Sequence, residues 1–284
     1  MNGFGYLLRL VRAFLLIAAV AFGTICLVRY APGYFSDGRE MDARYADAAR
    51  SERTEFAANN VSVAVIARHE LSEILRGNLG ISREYQVPVI ELLRSRIQTS
   101  GLMIVRGVAC GWLLALVAAL PASSLRRNQA LITAPFTILL AIPVAALATL
   151  CLIAQAGGPL LLLSLAVAAR DFRFVHALLA QSWRAPHLLF ARAQGIRLTD
   201  RLRMHILPSV APELASLMGI SIVTSLSALV PIEVLFNVPG IGQLAWNAVM
   251  NRDLPVLLAV TLMMAVVVSG TTLLCGRWSD MEPA

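Results

Sequence analysis

Six stretches of this chain run apolar long enough to cross about 30 Å of hydrocarbon at about 20 residues each. They lie near residues 7–29, 98–120, 130–155, 158–180, 209–234 and 254–275. The pattern predicts an all-α integral membrane protein with about six transmembrane helices. The first stretch is longer than the apolar region of a signal peptide and is followed by no convincing cleavage site, so it is read as a retained helix. Pro143 falls inside the third stretch, where a membrane helix tolerates proline if neighbours re-satisfy the backbone.

The polar positions order these helices. Arg9 and Arg12 open the first, and Arg126 and Arg127 sit between the second and third. Arg184, Arg192, Arg197, Arg201 and Arg203 crowd the connection between the fourth and fifth, against Asp200 alone. These three regions alternate to one side, which the positive-inside rule makes the cytoplasm. Both termini are then cytoplasmic. The expected organisation is a first transmembrane helix over 1–30, an extracytoplasmic segment over 31–97, and a core of five transmembrane helices over 98–284 with a cytosolic loop at 181–208. Within 31–97, a solvated helix is expected over 37–58 and an amphipathic stretch over 61–75. A Gly-bounded turn follows at Gly77–Ser82, and another helix should open near Val87–Leu93.

Composition agrees. The chain is 58% hydrophobic and 14% charged, with mean hydropathy +0.71, whereas soluble domains run about 25% charged. The net charge of +7 comes from 24 arginines and no lysine. They sit at the ends of apolar runs rather than among stacking aromatics, which argues against a nucleic-acid partner. Cys26, Cys110, Cys151 and Cys275 have no metal-site spacing. The segment His69-Glu70-Leu71-Ser72-Glu73 lacks the second histidine of a zinc protease. No histidine has an obvious serine partner, so no catalytic residue and no metal site is expected. No phosphate-binding GxxxxGK[ST] loop is present.

The 181–208 connection has more structure than a topology-setting loop needs. Gly195 suits the left-handed position that ends a helix. Thr199 or Asp200 can cap the next, and Leu198, Leu202 and Ile206 recur as one apolar stripe, with Arg197, Arg201 and Arg203 off it. Pro208 should close the segment ahead of the fifth span. Such a helix–Gly–helix element suits docking into a groove on a partner.

Ala191-Arg192-Ala193-Gln194-Gly195, with His205-Ile206-Leu207-Pro208 ten residues on, resembles the EAA loop of ABC importer permeases. It is most similar to the dipeptide/oligopeptide/nickel branch, whose version reads ARAKG followed by HxLxN. Gln194 replaces the lysine and Ser209 the asparagine. Gly77-Asn78-Leu79-Gly80-Ile81-Ser82 with Pro88-Val89-Ile90-Glu91-Leu92 is similar to that branch's GDLGxS and PVxEL. Pro231–Phe236 with Pro239–Leu244, and Asn251-Arg252-Asp253-Leu254-Pro255, resemble its VxExxFxxPGxGxL and xRDxP. The resemblance covers roughly residues 70–255. The early PGDP is reduced to Pro32-Gly33, and the closing DPR to Asp280-Met281-Glu282-Pro283.

The resemblance implies a permease subunit of an ATP-driven importer in a bacterial inner membrane, a transport component and not an enzyme. Two ATP-binding subunits would bind ATP and Mg, and this chain would hold no cofactor. A second permease subunit of different sequence and an extracytoplasmic substrate-binding protein would complete the assembly. Ala191, Arg192, Ala193, Gln194, Gly195, Arg197, Asp200, Arg203, His205 and Pro208 would form the loop that couples to the ATPase.

Charges within spans are costly and usually face a partner or a wet cavity. Arg106, Asp171, Arg173 and Glu233 are therefore candidates for the translocation path or its gate. Arg106 can instead be structural or snorkel, and Asp171 can partly neutralise Arg170 and Arg173; Arg173 matches an arginine of the family, and the resemblance implies that it packs against the coupling loop. The competing reading is an ion-coupled secondary transporter needing no ATPase, although no repeat across two halves supports it.

Overall fold

The computed structural model describes residues 3–30, 72, 76–124, 129–251 and 253–279. The expected helix over 37–58, nearly all of the amphipathic stretch over 61–75, and Arg126, Arg127, Arg252 and the 280–283 segment lie outside them. Among the described residues the chain is helical, with no strand and one isolated β-bridge, Ile81 to Pro88.

The helices are α1 (Gly3–Tyr30), α2 (Val89–Ser124), α3 (Gln129–Ala141), α4 (Val144–Ile153), α5 (Pro159–Trp183), α6 (Pro186–Ala193), α7 (Leu198–Arg201), α8 (Leu207–Leu235), α9 (Ile241–Met250) and α10 (Leu254–Ser279). A π-helical turn, Leu202–Ile206, joins α7 to α8. By length and composition α1, α2, the continuous 198–235 helix and α10 can each cross a membrane. The pair α3 and α4 makes a fifth crossing if counted as one span. α5 has the length, but Arg170, Asp171 and Arg173 near its middle leave no 18-residue stretch apolar enough to count.

The single helix expected over 130–155 is two helices, bent by 97° between Ala141 and Val144. Pro143 is the cause. Its ring disfavours helical geometry at Ile142, and its missing N–H removes a bond that would continue α3. Pro143 itself is extended, at ψ 139°, and serves as the N-cap of α4. A broken span or a re-entrant loop fits this geometry. The opposite change occurs in α2. The helix expected to open near Val87–Leu93 and the second span form one 36-residue helix, about 54 Å long at 1.5 Å per residue. The expected boundary at 97/98 falls inside it.

The chain divides into two compact units, Met1–Thr99 with Pro239–Ser269, and Ser100–Val238 with Gly270–Ala284. In the first, the start of α2, α9 and the start of α10 share a core that includes Val89, Leu93, Leu244 and Val256. In the second, α5 is the hub. It buries Leu163, Val167, Phe172, Val175 and Leu179, and packs on α3, α4 and α8. Glycines let α2 approach α5 closely. A Cβ built on Gly111 would meet Val167 Cβ at 2.7 Å and the Ser164 carbonyl oxygen at 2.8 Å. Small residues at such crossings are how membrane helices gain packing contacts without a hydrophobic driving force.

Candidate functional site

α6 ends at the glycine the sequence marks. Gly195 has φ +75°, and the Ile196 N–H reaches back to the Ala191 carbonyl at 3.2 Å, the six-to-one bond of a Schellman cap. Arg197 is the N-cap of α7 and gives no side-chain capping bond. The expectation that Thr199 or Asp200 caps this helix is therefore corrected. The carboxylate of Asp200 instead lies in the first turn of α7, where it complements the helix dipole.

Pro208 does not close the segment. The helix runs unbroken from Leu198 to Leu235, 38 residues, or about 57 Å. The backbone solves the problem of Pro208 by widening just before it. The π-turn bonds the Leu207 N–H to the Leu202 carbonyl, which relieves the ring's clash with the preceding turn. Ser209, in the place of the family's asparagine, turns its hydroxyl to the Ile206 carbonyl at 2.8 Å.

The π-turn also splits the expected apolar stripe. Ile206 is fully buried, Leu202 half-buried and Leu198 54% exposed. Among the described residues Phe190 (66%), Leu198, Met204 (72%) and Leu207 (37%) are exposed apolar side chains of this element. Among the predicted residues, Ala191 is buried, Gln194, Gly195, Arg197, Arg203 and Pro208 are exposed, and Asp200 and His205 are half-buried. Arg192 and Ala193 lie in the last turn of α6. The element thus combines exposed apolar side chains with Arg197 and Arg203.

The four intramembrane candidates fall into separate surroundings. Asp171 is fully buried on α5 and accepts a 2.5 Å hydrogen bond from Ser221 Oγ on α8. Ser221 in turn accepts one from the Trp112 indole of α2 at 3.1 Å. Among the described residues Asp171 makes no ion pair with Arg170 or Arg173. Arg170 donates to Thr224 Oγ1 and to the Ile220 carbonyl, because consecutive helix positions point in different directions. Oδ1 of Asp171 has no hydrogen-bond partner among the described residues. Arg173, two positions on, is exposed and lines a cavity between α3 and α5. Arg106 is exposed on α2. Glu233 is fully buried near the end of α8 and accepts from Ser100 Oγ of α2 at 2.6 Å. A Schellman cap at Asn237 (φ 51°), with the Val238 N–H on the Glu233 carbonyl at 2.8 Å, ends α8 just beyond it.

Trp112, Ser221 and Ser100 are hydrogen-bonding partners of these candidates that the sequence does not reveal. Their only signal is a polar atom inside an apolar run, and many such atoms bond locally instead. In the sequence Ser82 and Asp253 stand out only as parts of motifs. Both are buried, and Ser82 Oγ donates to Asp253 Oδ2 at 2.5 Å across 171 positions of sequence. The Glu84 N–H meets the same oxygen at 3.2 Å, and the other Asp253 oxygen lies 3.5 Å from the Val256 N–H in the first turn of α10. The Gly77–Ser82 turn and the Asp253-Leu254-Pro255 motif are two halves of one corner.

Residues 107–280 match the family described as binding-protein-dependent transport system inner membrane component. The chain belongs to this family. It is 26% identical over 219 residues to the dipeptide transport system permease protein DppB of Lactococcus lactis, covering 69% of this chain and 72% of that one. It is 32% identical over 108 residues to the metal-staphylopine import system permease protein CntB of Staphylococcus aureus, covering 38% of this chain and 34% of that one. Over 106 residues it is 32% identical to the oligopeptide transport system permease protein OppB of Escherichia coli, covering 37% and 34%. The matched segments of CntB and OppB are thus about a third of those proteins' length.

Proposed function

We propose that this chain is a membrane-spanning permease subunit of an ATP-driven importer for peptides or related small solutes. The observation that carries the reading is the helix–Gly195–helix element, exposed, arginine-bearing and continuous with a 38-residue helix. At about 57 Å that helix is nearly twice the thickness of the hydrocarbon layer. It must therefore project past it, and it links an exposed docking segment rigidly to Glu233 near its other end. A partner that moves the Gly195 end moves the helix as a lever between two positions.

In this reading α5 completes a set of six spans, both termini are cytoplasmic, and 181–208 lies in the cytosol. Two ATP-binding subunits with their ATP and Mg dock there. A second permease chain and an extracytoplasmic substrate-binding protein complete the assembly. Arg106, Asp171, Arg173 and Glu233 serve the translocation path or its gate. The names of the relatives support peptides or chelated metals as cargo.

The test is purification from the native membrane in mild detergent, beside a Gly195→Pro, Arg203→Glu variant. Proline cannot adopt φ +75°, and the second change reverses a charge at the docking face. An ATP-hydrolysing subunit should accompany the wild type and be lost from the variant. A wild type that purifies alone and takes up solute on an ion gradient would establish the secondary-transporter reading instead.

A further inference from the structure

α3 and α5 face each other with matching registers. Thr133, Phe136, Thr137 and Leu140 on α3, and Ala169, Phe172, Arg173 and His176 on α5, each recur at i, i+3, i+4 and i+7 and line a cavity of about 310 Å³. Such spacing places each set on one helix face. Phe136 stacks on Phe172 with centroids 4.2 Å apart, and His176 stacks on the same ring at 5.7 Å. A continuous run of three rings therefore crosses from one helix to the other.

The polar groups are unequal. Thr133 and Thr137 give their hydroxyl hydrogens to the carbonyls of Ala130 and Thr133. His176 Nε2 lies 3.3 Å from the Gln129 amide nitrogen. Arg173 alone among the lining residues carries an always-charged, five-donor group, and no hydrogen bond or ion pair meets it among the described residues. A guanidinium within a membrane helix is costly unless water or an anion meets it. Its planar fork matches a carboxylate or phosphate with two parallel bonds. The volume lies at the small end of ligand pockets, enough for one acidic group and a single apolar body.

We propose that the α3–α5 cavity binds an oxyanion carried on an apolar or aromatic body, with Arg173 holding the oxyanion and the Phe136–Phe172–His176 stack holding the body. The oxyanion is the carboxylate of a cargo molecule or the phosphate of a lipid. The cargo source deepens, and rests on, the proposal that Arg173 serves the translocation path.

The complete complex in phosphatidylcholine nanodiscs is titrated with glycyl-phenylalanine, one carboxylate on a single aromatic body, and with its C-terminal amide. In a second arm, retention of phosphatidylglycerol is read by native mass spectrometry. At least one anionic probe should bind the wild type about ten- to a hundredfold more tightly than Arg173→Gln, the range expected for lost charge-assisted bonds. Arg173→Lys should keep part of the affinity, and the amide should not bind. Binding of the dipeptide identifies cargo as the source, and retention of the lipid identifies the headgroup.

If Arg173→Gln does not assemble, Thr137→Glu serves instead. It sets a competing carboxylate at an exposed position on the facing wall and should displace either probe. Probe binding indifferent to both substitutions overturns the site. Anion binding lost with uptake unchanged keeps the site and removes Arg173 from the path. Uptake lost with anion binding unchanged overturns the oxyanion site and leaves the path role standing.

Discussion

Two motif-bearing corners of this chain meet opposite fates. At the Ser82–Asp253 corner the motif residues satisfy one another. Both side chains are buried, the carboxylate takes a hydroxyl and a backbone N–H, and Gly80 (φ +76°) lets the turn lie against Pro255. At the Gly195 corner the conformation is equally specific, yet Phe190, Leu198, Met204 and the exposed Arg197 and Arg203 are left outward. A motif that closes on itself sets a shape. A motif with a fixed backbone and unburied apolar side chains leaves surface for a partner, as proposed for the Gly195 corner. The difference lies in tertiary partners, since in sequence the two look equally like short Gly-containing punctuation.

The comparison can be broken by substitutions that separate stability from coupling. Asp253→Ala should have the largest effect on the fold. It leaves the Ser82 hydroxyl hydrogen and the Glu84 N–H without their acceptor and removes the side chain flanking the start of α10, a loss of about 3 kcal/mol or more for a buried network. Thermal unfolding in detergent should show a clear drop in midpoint. An unchanged midpoint would mean that the corner contributes little to the fold. Gly111→Val should follow. Its added side chain meets the Val167 side chain and the Ser164 backbone, an overpacking cost of about 1–3 kcal/mol, read in the same melt.

Leu198→Ser should have the smallest effect on stability, within about 0.5 kcal/mol for an exposed position. It should nonetheless weaken co-purification of the ATP-hydrolysing subunit. Retention of that subunit at wild-type levels would remove Leu198 from the docking surface and erase the contrast between the corners.

A similar contrast lies within α5. Asp171 and Arg173 read alike as charges in an apolar run. Two helix positions are about 200° apart, so one is sealed against Ser221 and the other opens on a cavity. Phase along a helix is legible, but which phase faces the protein depends on where α3 and α8 pack.

The sequence by itself determined the helical membrane class, most of the apolar helices, the helix ending at Gly195 and the family. These follow from local chemistry: runs of apolar side chains exclude water, and a left-handed backbone position favours glycine. Tertiary structure decided the rest. Pro143 and Pro208 have the same covalent chemistry, yet one breaks a helix by 97° and the other is absorbed by a π-turn. Ser82 found Asp253, and Asp171 found Ser221 rather than its arginine neighbours. A buried polar group takes whichever partner the packing brings within about 3 Å, and that distance is set by residues far away in the chain.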